Sequence, residues 1–194
     1  MRLDYVPNPP TNLSEADAAV LERVKARRGP NGLIPLDLTL LHSPAVTDGW
    51  NALLGAIRTK TTLSASIREI AICRPALLNA AWFEWNAHAP ILLSAPDFTE
   101  AKLDIVKQLH PTTQGDLSDQ EWAVLLYADE MTRHVKVDDK TFQRLRTVGF
   151  NEQEVVEITA TVASYNMVSR FLVALDVGEQ NAKKPEWAAD VTNP

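Results

Sequence analysis

Hydrophobic positions recur along this chain every three or four residues, and short polar side chains stand where most of the runs begin. That combination predicts helices. Ser14 caps EADAAVLERVKARR, an amphipathic helix stopped by Gly29 and Pro30. After Pro35, LDLTLLHSPAVTDGWNALLGAIR reads as two short helical pieces joined near Pro44. SASIREIAICR is helical, with apolar residues at 67, 70, 71 and 73, and Pro75 is expected to kink or restart the helix. Thr99 starts TEAKLDIVKQL. Ser118 with Glu121, and Asn151 with Glu154, have the spacing of capping boxes. The first precedes WAVLLYADEMTRHV; the second opens the longest helix, roughly 151–175, which Gly178 ends. Between them, Asp138 or Asp139 opens DKTFQRLRTV, closed by Gly149.

Strand signals are missing, since neither β-branched alternation nor hairpin glycine pairs occur. The expected architecture is all-α: one helical domain over 13–178, an arm over 1–12 and a tail over 179–194. The arm contains VPNPP, which can be neither helix nor central strand, and the tail is polar apart from Trp187.

Composition narrows the function classes. The chain has 194 residues, of which 45% are hydrophobic and 23% charged, enough for one domain with a substantial core. Its net charge is −6, from 19 basic and 25 acidic side chains, which argues against nucleic-acid binding. The sole cysteine, Cys73, permits neither an internal disulfide nor a dithiol redox centre and reads as a small buried hydrophobe. No signal peptide or apolar stretch of about 20 residues stands out, so the expectation is a cytoplasmic protein with no membrane partner.

Against this background, AAWFEWNAH is unusual. Glu84 and His88 lie four apart and share one face of any helix through the stretch, amid Trp82, Phe83 and Trp85. They are either an ion pair on a solvated face or a proton-handling pair in a pocket. Glu69 also has two readings. If the helix starts at Ser66, Glu69 completes a capping box; if it starts nearer Ser64, Glu69 is free for the pocket. Tyr165 and Asn166 interrupt an apolar helix and need partners, as core hydrogen bonds or as a pocket wall. Arg74, Arg170 and Arg68 could anchor an anion or make salt bridges. A metal site at Glu69, Glu84 and His88 is conceivable, but no metal-binding motif supports it, and none is expected.

A glutamate, a cysteine after eleven intervening residues, a second after two, and a histidine after three is the signature of the alkylhydroperoxidase D-like (AhpD-like) proteins. Glu69, Ala81, Glu84 and His88 stand at that spacing, with both cysteines replaced. REIAICR and AAWFEWNAH resemble the carboxymuconolactone decarboxylase branch of that superfamily, as do WAVLLYADEM, TFQRL and VVEITATVASYNMVSRFL; the likeness covers roughly 35–178. The resemblance implies a helical fold that oligomerises, with a pocket partly closed by a neighbouring subunit. It implies a cofactor-independent lyase, or a related isomerase, acting on a small cyclic acid or lactone. His88 would donate or accept the proton, Glu84 would tune it with Glu69 in reach, Trp82 or Trp85 would line the pocket, and an arginine would grip the substrate carboxylate. Thiol peroxidase chemistry is not expected, because a second sulfur must resolve the oxidised first. The competing expectation is a non-catalytic oligomer that binds small molecules. The arm with Tyr5 and the tail with Trp187 are expected to drape over a neighbouring copy.

Overall fold

Ser14, Ser64, Thr99, Ser118 and Asn151 each accept a hydrogen bond from the backbone N–H three residues ahead, and each starts a helix. The two capping boxes close as their spacing predicts. The computed structural model describes residues 1–189 and 191, and no strand occurs among them. Nine α-helices occur among the described residues: α1 (Glu15–Arg28), α2 (Pro35–Leu40), α3 (Pro44–Thr59), α4 (Ala65–Leu78), α5 (Trp82–Leu93), α6 (Glu100–Val106), α7 (Asp119–His134), α8 (Asp139–Thr147) and α9 (Glu152–Leu175). Short 3₁₀ turns follow α1 and α9, and one lies in the tail.

The all-α reading holds, and the differences lie at helix ends. The piece after Pro44 is a full 16-residue helix. Pro75 does not end or restart α4, which runs through it to Leu78. An interior proline costs about 3 kcal/mol. α4 tolerates it because it is packed against α5, α7 and α9, and its residues 67 and 69–77 are all buried. The chain turns instead at Ala80, which takes a left-handed conformation (φ 51°) while Ala81 N–H bonds the Ala76 carbonyl. This turn folds α5 back along α4. α9 spans Glu152–Leu175 as its capping and periodicity predict, and a left-handed Asp176 closes it just ahead of Gly178.

α9 has the length and apolarity to cross a bilayer, contrary to the expectation that no stretch would. Its Ile158, Thr161, Val162, Tyr165, Ser169 and Leu172 instead face the interior.

Two apolar cores flank α4. One joins it to α5, α6 and α7; the other joins Ile72 to Leu36, Trp50, Leu54, Tyr165 and Leu172 from α2, α3 and α9. The arm and tail lie on their own chain. Arg2 N–H bonds the Leu175 carbonyl, and the Tyr5 hydroxyl accepts from Gly178 N–H. Trp187 packs on Trp82 and Trp85 with ring centroids 6.3 and 5.1 Å apart. Within the chain, then, Tyr5 and Trp187 already have partners, and Trp187 remains 44% exposed.

Candidate active site

α4 starts at Ser64, so Glu69 is an interior residue and not a cap. It faces α5, and the Ala80 turn brings His88 to it. His88 Nδ1 donates to Glu69 Oε2 at 2.6 Å, while Arg68 Nε lies 3.4 Å from Oε1. Burial raises the Glu69 carboxyl, but the hydrogen bond and charge of His88, with Arg58 and Arg68 nearby, outweigh burial and hold it below the usual carboxylate range. For His88 burial dominates and lowers the imidazole, opposed by Glu69. Near neutral pH the pair is therefore a carboxylate and a neutral ring. An ionised carboxylate only accepts, which assigns the ring proton to Nδ1 and leaves a lone pair on Nε2. Every buried side-chain nitrogen and oxygen among the described residues has a hydrogen-bond partner. Nε2 has none there, so it is open.

It opens on a cavity of about 140 Å³ lined by His88, Glu84, Phe83 and Ala87 of α5, Tyr165, Val168 and Leu172 of α9, and residues of α1–α3 and the loop after α1. Tyr165 meets the His88 ring edge-on, with centroids 5.1 Å apart. Gly178 fixes the cavity's Phe83 wall. A β-carbon there would collide with the Phe83 ring, and the backbone is left-handed (φ 75°).

Glu84 is buried and does not bond His88. Its oxygens lie 3.1 and 3.2 Å from Ser169 Oγ, which also lies 2.7 Å from the Tyr165 carbonyl. A hydroxyl has one proton, and a carbonyl can only accept. The Ser169 hydroxyl is therefore shared, donating to the Tyr165 carbonyl and, at longer range, to the Glu84 carboxyl. Burial pushes the Glu84 carboxyl well above the usual range, and the bond from Ser169 opposes it. Burial thus favours the protonated form of Glu84 and the unprotonated ring of His88. The expected roles are redistributed: Glu69 orients His88, while Glu84 stands apart as a proton-bearing group.

Several expected pocket residues lie elsewhere. Trp82 and Trp85 share a face of α5 with Ala89 and Leu92 in the core, whereas Phe83, Glu84, Ala87 and His88 form the cavity face; adjacent helix positions point about 100° apart. Asn166 likewise points away from Tyr165, to Asn79 and Thr132, and Arg170 bonds Asn166. Arg74 is consumed by Asp129 and by the Val106 and Gln108 carbonyls. The arginines at the cavity are Arg27, Arg28 and Arg58, which sequence reasoning missed. Each sits near a helix C-terminus, where a cation needs no further reason. Ser169 was missed too, although its position four residues after Tyr165 was a usable sign. Among the described residues no three His, Cys, Asp or Glu side chains are grouped to hold a metal ion. Cys73 is buried, and burial raises its thiol well above the usual range.

No family model and no curated protein matches the chain. Solved structures do. A peroxidase-related protein with an alkylhydroperoxidase AhpD core from Ralstonia eutropha JMP134 is 21% identical at a TM-score of 0.68, over 86% of this chain and 89% of that one. A peroxidase-related protein from Silicibacter sp. TM1040 is 15% identical at 0.68, over 94% and 92%. A cysteine-to-alanine variant of the debrominase Bmp8, in complex with 2,3,4-tribromopyrrole, is 16% identical at 0.68, over 97% of both chains. At such identities the likeness establishes architecture, and the architecture of this chain is the AhpD-like helical fold.

Proposed function

We propose that the protein is an enzyme that moves protons on a small molecule, working without thiols, with His88 as base and Glu84 as acid. The observation carrying this reading is the pairing in one cavity of an open Nε2, on a ring fixed by Glu69, with the buried carboxyl of Glu84, whose burial favours the protonated form. A base that is unprotonated and an acid that is protonated near neutral pH are the two states general acid–base catalysis needs. The debrominase of the same fold, crystallised with a small heteroaromatic ring, supports a small-molecule substrate.

The more specific reading follows the sequence resemblance: a lyase of carboxymuconolactone decarboxylase type. The bond from the lactone ring to a carboxylate breaks, CO₂ leaves, and the electron pair is held by the conjugated ring system until carbon takes a proton. Glu84 carries that proton, and solvent reloads it. In a related isomerisation, His88 would take a proton from one carbon while Glu84 delivers one to another.

The test is incubation of the pure protein with carboxymuconolactone and related lactone acids, following CO₂ and lactone absorbance, with NMR in D₂O for label at carbon. The expected result is turnover with deuterium incorporation, slowed by about 10² or more in His88→Ala, and no hydroperoxide reduction with dithiol donors. Turnover unchanged by His88→Ala would end the acid–base reading. Binding without turnover on any of these acids would leave a small-molecule-binding protein.

A further inference from the structure

The cavity mouth has a charge imbalance that proton transfer does not need. Three guanidinium groups reach it, from Arg27 and Arg28 at the end of α1 and Arg58 near the end of α3. Only Arg28 is neutralised: its Nε and Nη2 each donate at 2.7 Å to an oxygen of buried Asp37. Arg27 donates through Nε to the Asn51 side-chain carbonyl, a neutral partner, and its two terminal nitrogens have no partner among the described residues. Arg58 has no hydrogen bond or ion pair among the described residues, although its charge is felt at Glu69, His88 and Tyr165. The acids of the site do not balance these charges. Asp37 answers Arg28, the carboxylate of Glu69 is shared between Arg58 and Arg68, and burial favours the neutral form of Glu84. Like charges gathered at a partly buried site repel one another, and Arg28 and Arg58 both act, after burial, to lower the Arg27 guanidinium. An anion placed between Arg27 and Arg58 removes that repulsion and can accept paired N–H bonds.

Below the arginines the walls are Trp50, Leu54, Phe83, Val168 and Leu172. A volume of about 140 Å³ is close to that of an apolar cavity able to hold benzene.

We infer that Arg58, with Arg27, forms an anion clamp over the cavity, and that the ligand is a small organic carboxylate with an apolar body about the size of one six-membered ring. The clamp holds the carboxylate at the mouth and points the ring at His88 Nε2. This assignment rests on the acid–base reading for its catalytic meaning, but binding can be measured without turnover.

The probes are benzoate, its neutral isostere benzamide, and inorganic phosphate, titrated by calorimetry into the wild-type chain and into Arg58→Gln, Arg27→Gln, Arg58→Lys and His88→Gln. Benzoate is expected to bind, with benzamide weaker by about tenfold or more. Arg58→Gln should lose about tenfold or more in benzoate affinity, Arg27→Gln less, and Arg58→Lys should recover part of the loss while His88→Gln keeps binding. Thermal unfolding of each variant checks that it is folded. No benzoate binding, equal binding of benzamide, full affinity in Arg58→Gln, or a site that takes phosphate in preference to benzoate would each overturn the clamp. If benzoate behaves as expected but no lactone acid turns over, the acid–base reading fails and the clamp stands. If turnover occurs and Arg58→Gln changes neither KM nor benzoate binding, the clamp fails and the acid–base reading stands.

Discussion

Helix α4 carries two buried polar side chains five residues apart, and they live in opposite circumstances. Arg74 is saturated. Its Nε and Nη2 meet both oxygens of Asp129 at 2.6 Å, and its Nη1 meets the carbonyls of Val106 and Gln108. The group ties α4 to α7 and to the end of α6. Glu69 instead belongs to an unsaturated cluster. One oxygen holds His88, whose other nitrogen opens on a cavity, and the acid one turn away on the same cavity face, Glu84, bonds only Ser169 among the described residues. Burial of charge alone therefore does not mark a functional group. An ionisable group satisfied on every side is architecture, whereas one that leaves a heteroatom facing an enclosed space can act on a guest.

The strongest way to break this contrast is to remove one member of each cluster. Arg74→Met should destabilise the fold by roughly 3–5 kcal/mol, because Asp129 and two carbonyls are left without their donor. His88→Gln, which keeps an N–H for Glu69, should cost no more than about 1.5 kcal/mol while abolishing activity. Urea unfolding of both variants at neutral pH measures the difference; equal losses would erase the distinction.

A second test uses proton linkage. The Glu84 carboxyl titrates near 4.5 in the unfolded chain and well above that in the fold. The folded state then holds a proton that the unfolded state has lost. The contribution of this group to stability is complete below about 4.5 and falls as the pH climbs through its raised folded value. Glu69 and His88 have the opposite sign. Both are lowered in the fold, so their contributions are present at high pH and fall as the pH drops. Comparing wild type with Glu84→Gln isolates the first effect: the variant should gain stability relative to wild type as the pH rises from about 5 to about 8, at fixed temperature and salt. A difference independent of pH would mean that Glu84 is ionised in the fold and no proton donor.

The smallest expected effect is at Ser169. Ser169→Ala removes the hydroxyl that donates to Glu84 and should cost about 1–2 kcal/mol by denaturant unfolding, leaving a buried carboxyl without a partner. The cost should largely vanish in a Glu84→Leu background, since the pair is what the hydroxyl serves.

Much of the fold is written in local sequence. Ser14, Ser118 with Glu121, and Asn151 with Glu154 cap helices because a side-chain oxygen three residues from an unpaired N–H is a local device that works in any tertiary setting. The spacing of Glu69, Glu84 and His88 is equally legible, and the Ala80 turn does bring Glu69 to His88. Which partner each acid takes is not. Glu84 and His88 share a helix face at i,i+4, yet Glu69 claims the ring and Ser169 claims Glu84, because choices among buried partners depend on which helices are packed alongside.

Pro75 and the arginines show the same division. A local rule breaks α4 at Pro75, and packing against three helices carries it through. Arg74, amid apolar residues, reads as a candidate anchor, while Arg27 and Arg58 read as ordinary helix-end cations. The sequence by itself determined the helices, their caps and the three ionisable groups of the site, since these depend on neighbours a few residues away. Only the tertiary structure decided that Trp82 and Trp85 turn to the core, that Arg74 is saturated, and that Arg27 and Arg58 converge on the cavity. Those outcomes follow from the relative rotation of helices distant in sequence, which no local spacing encodes.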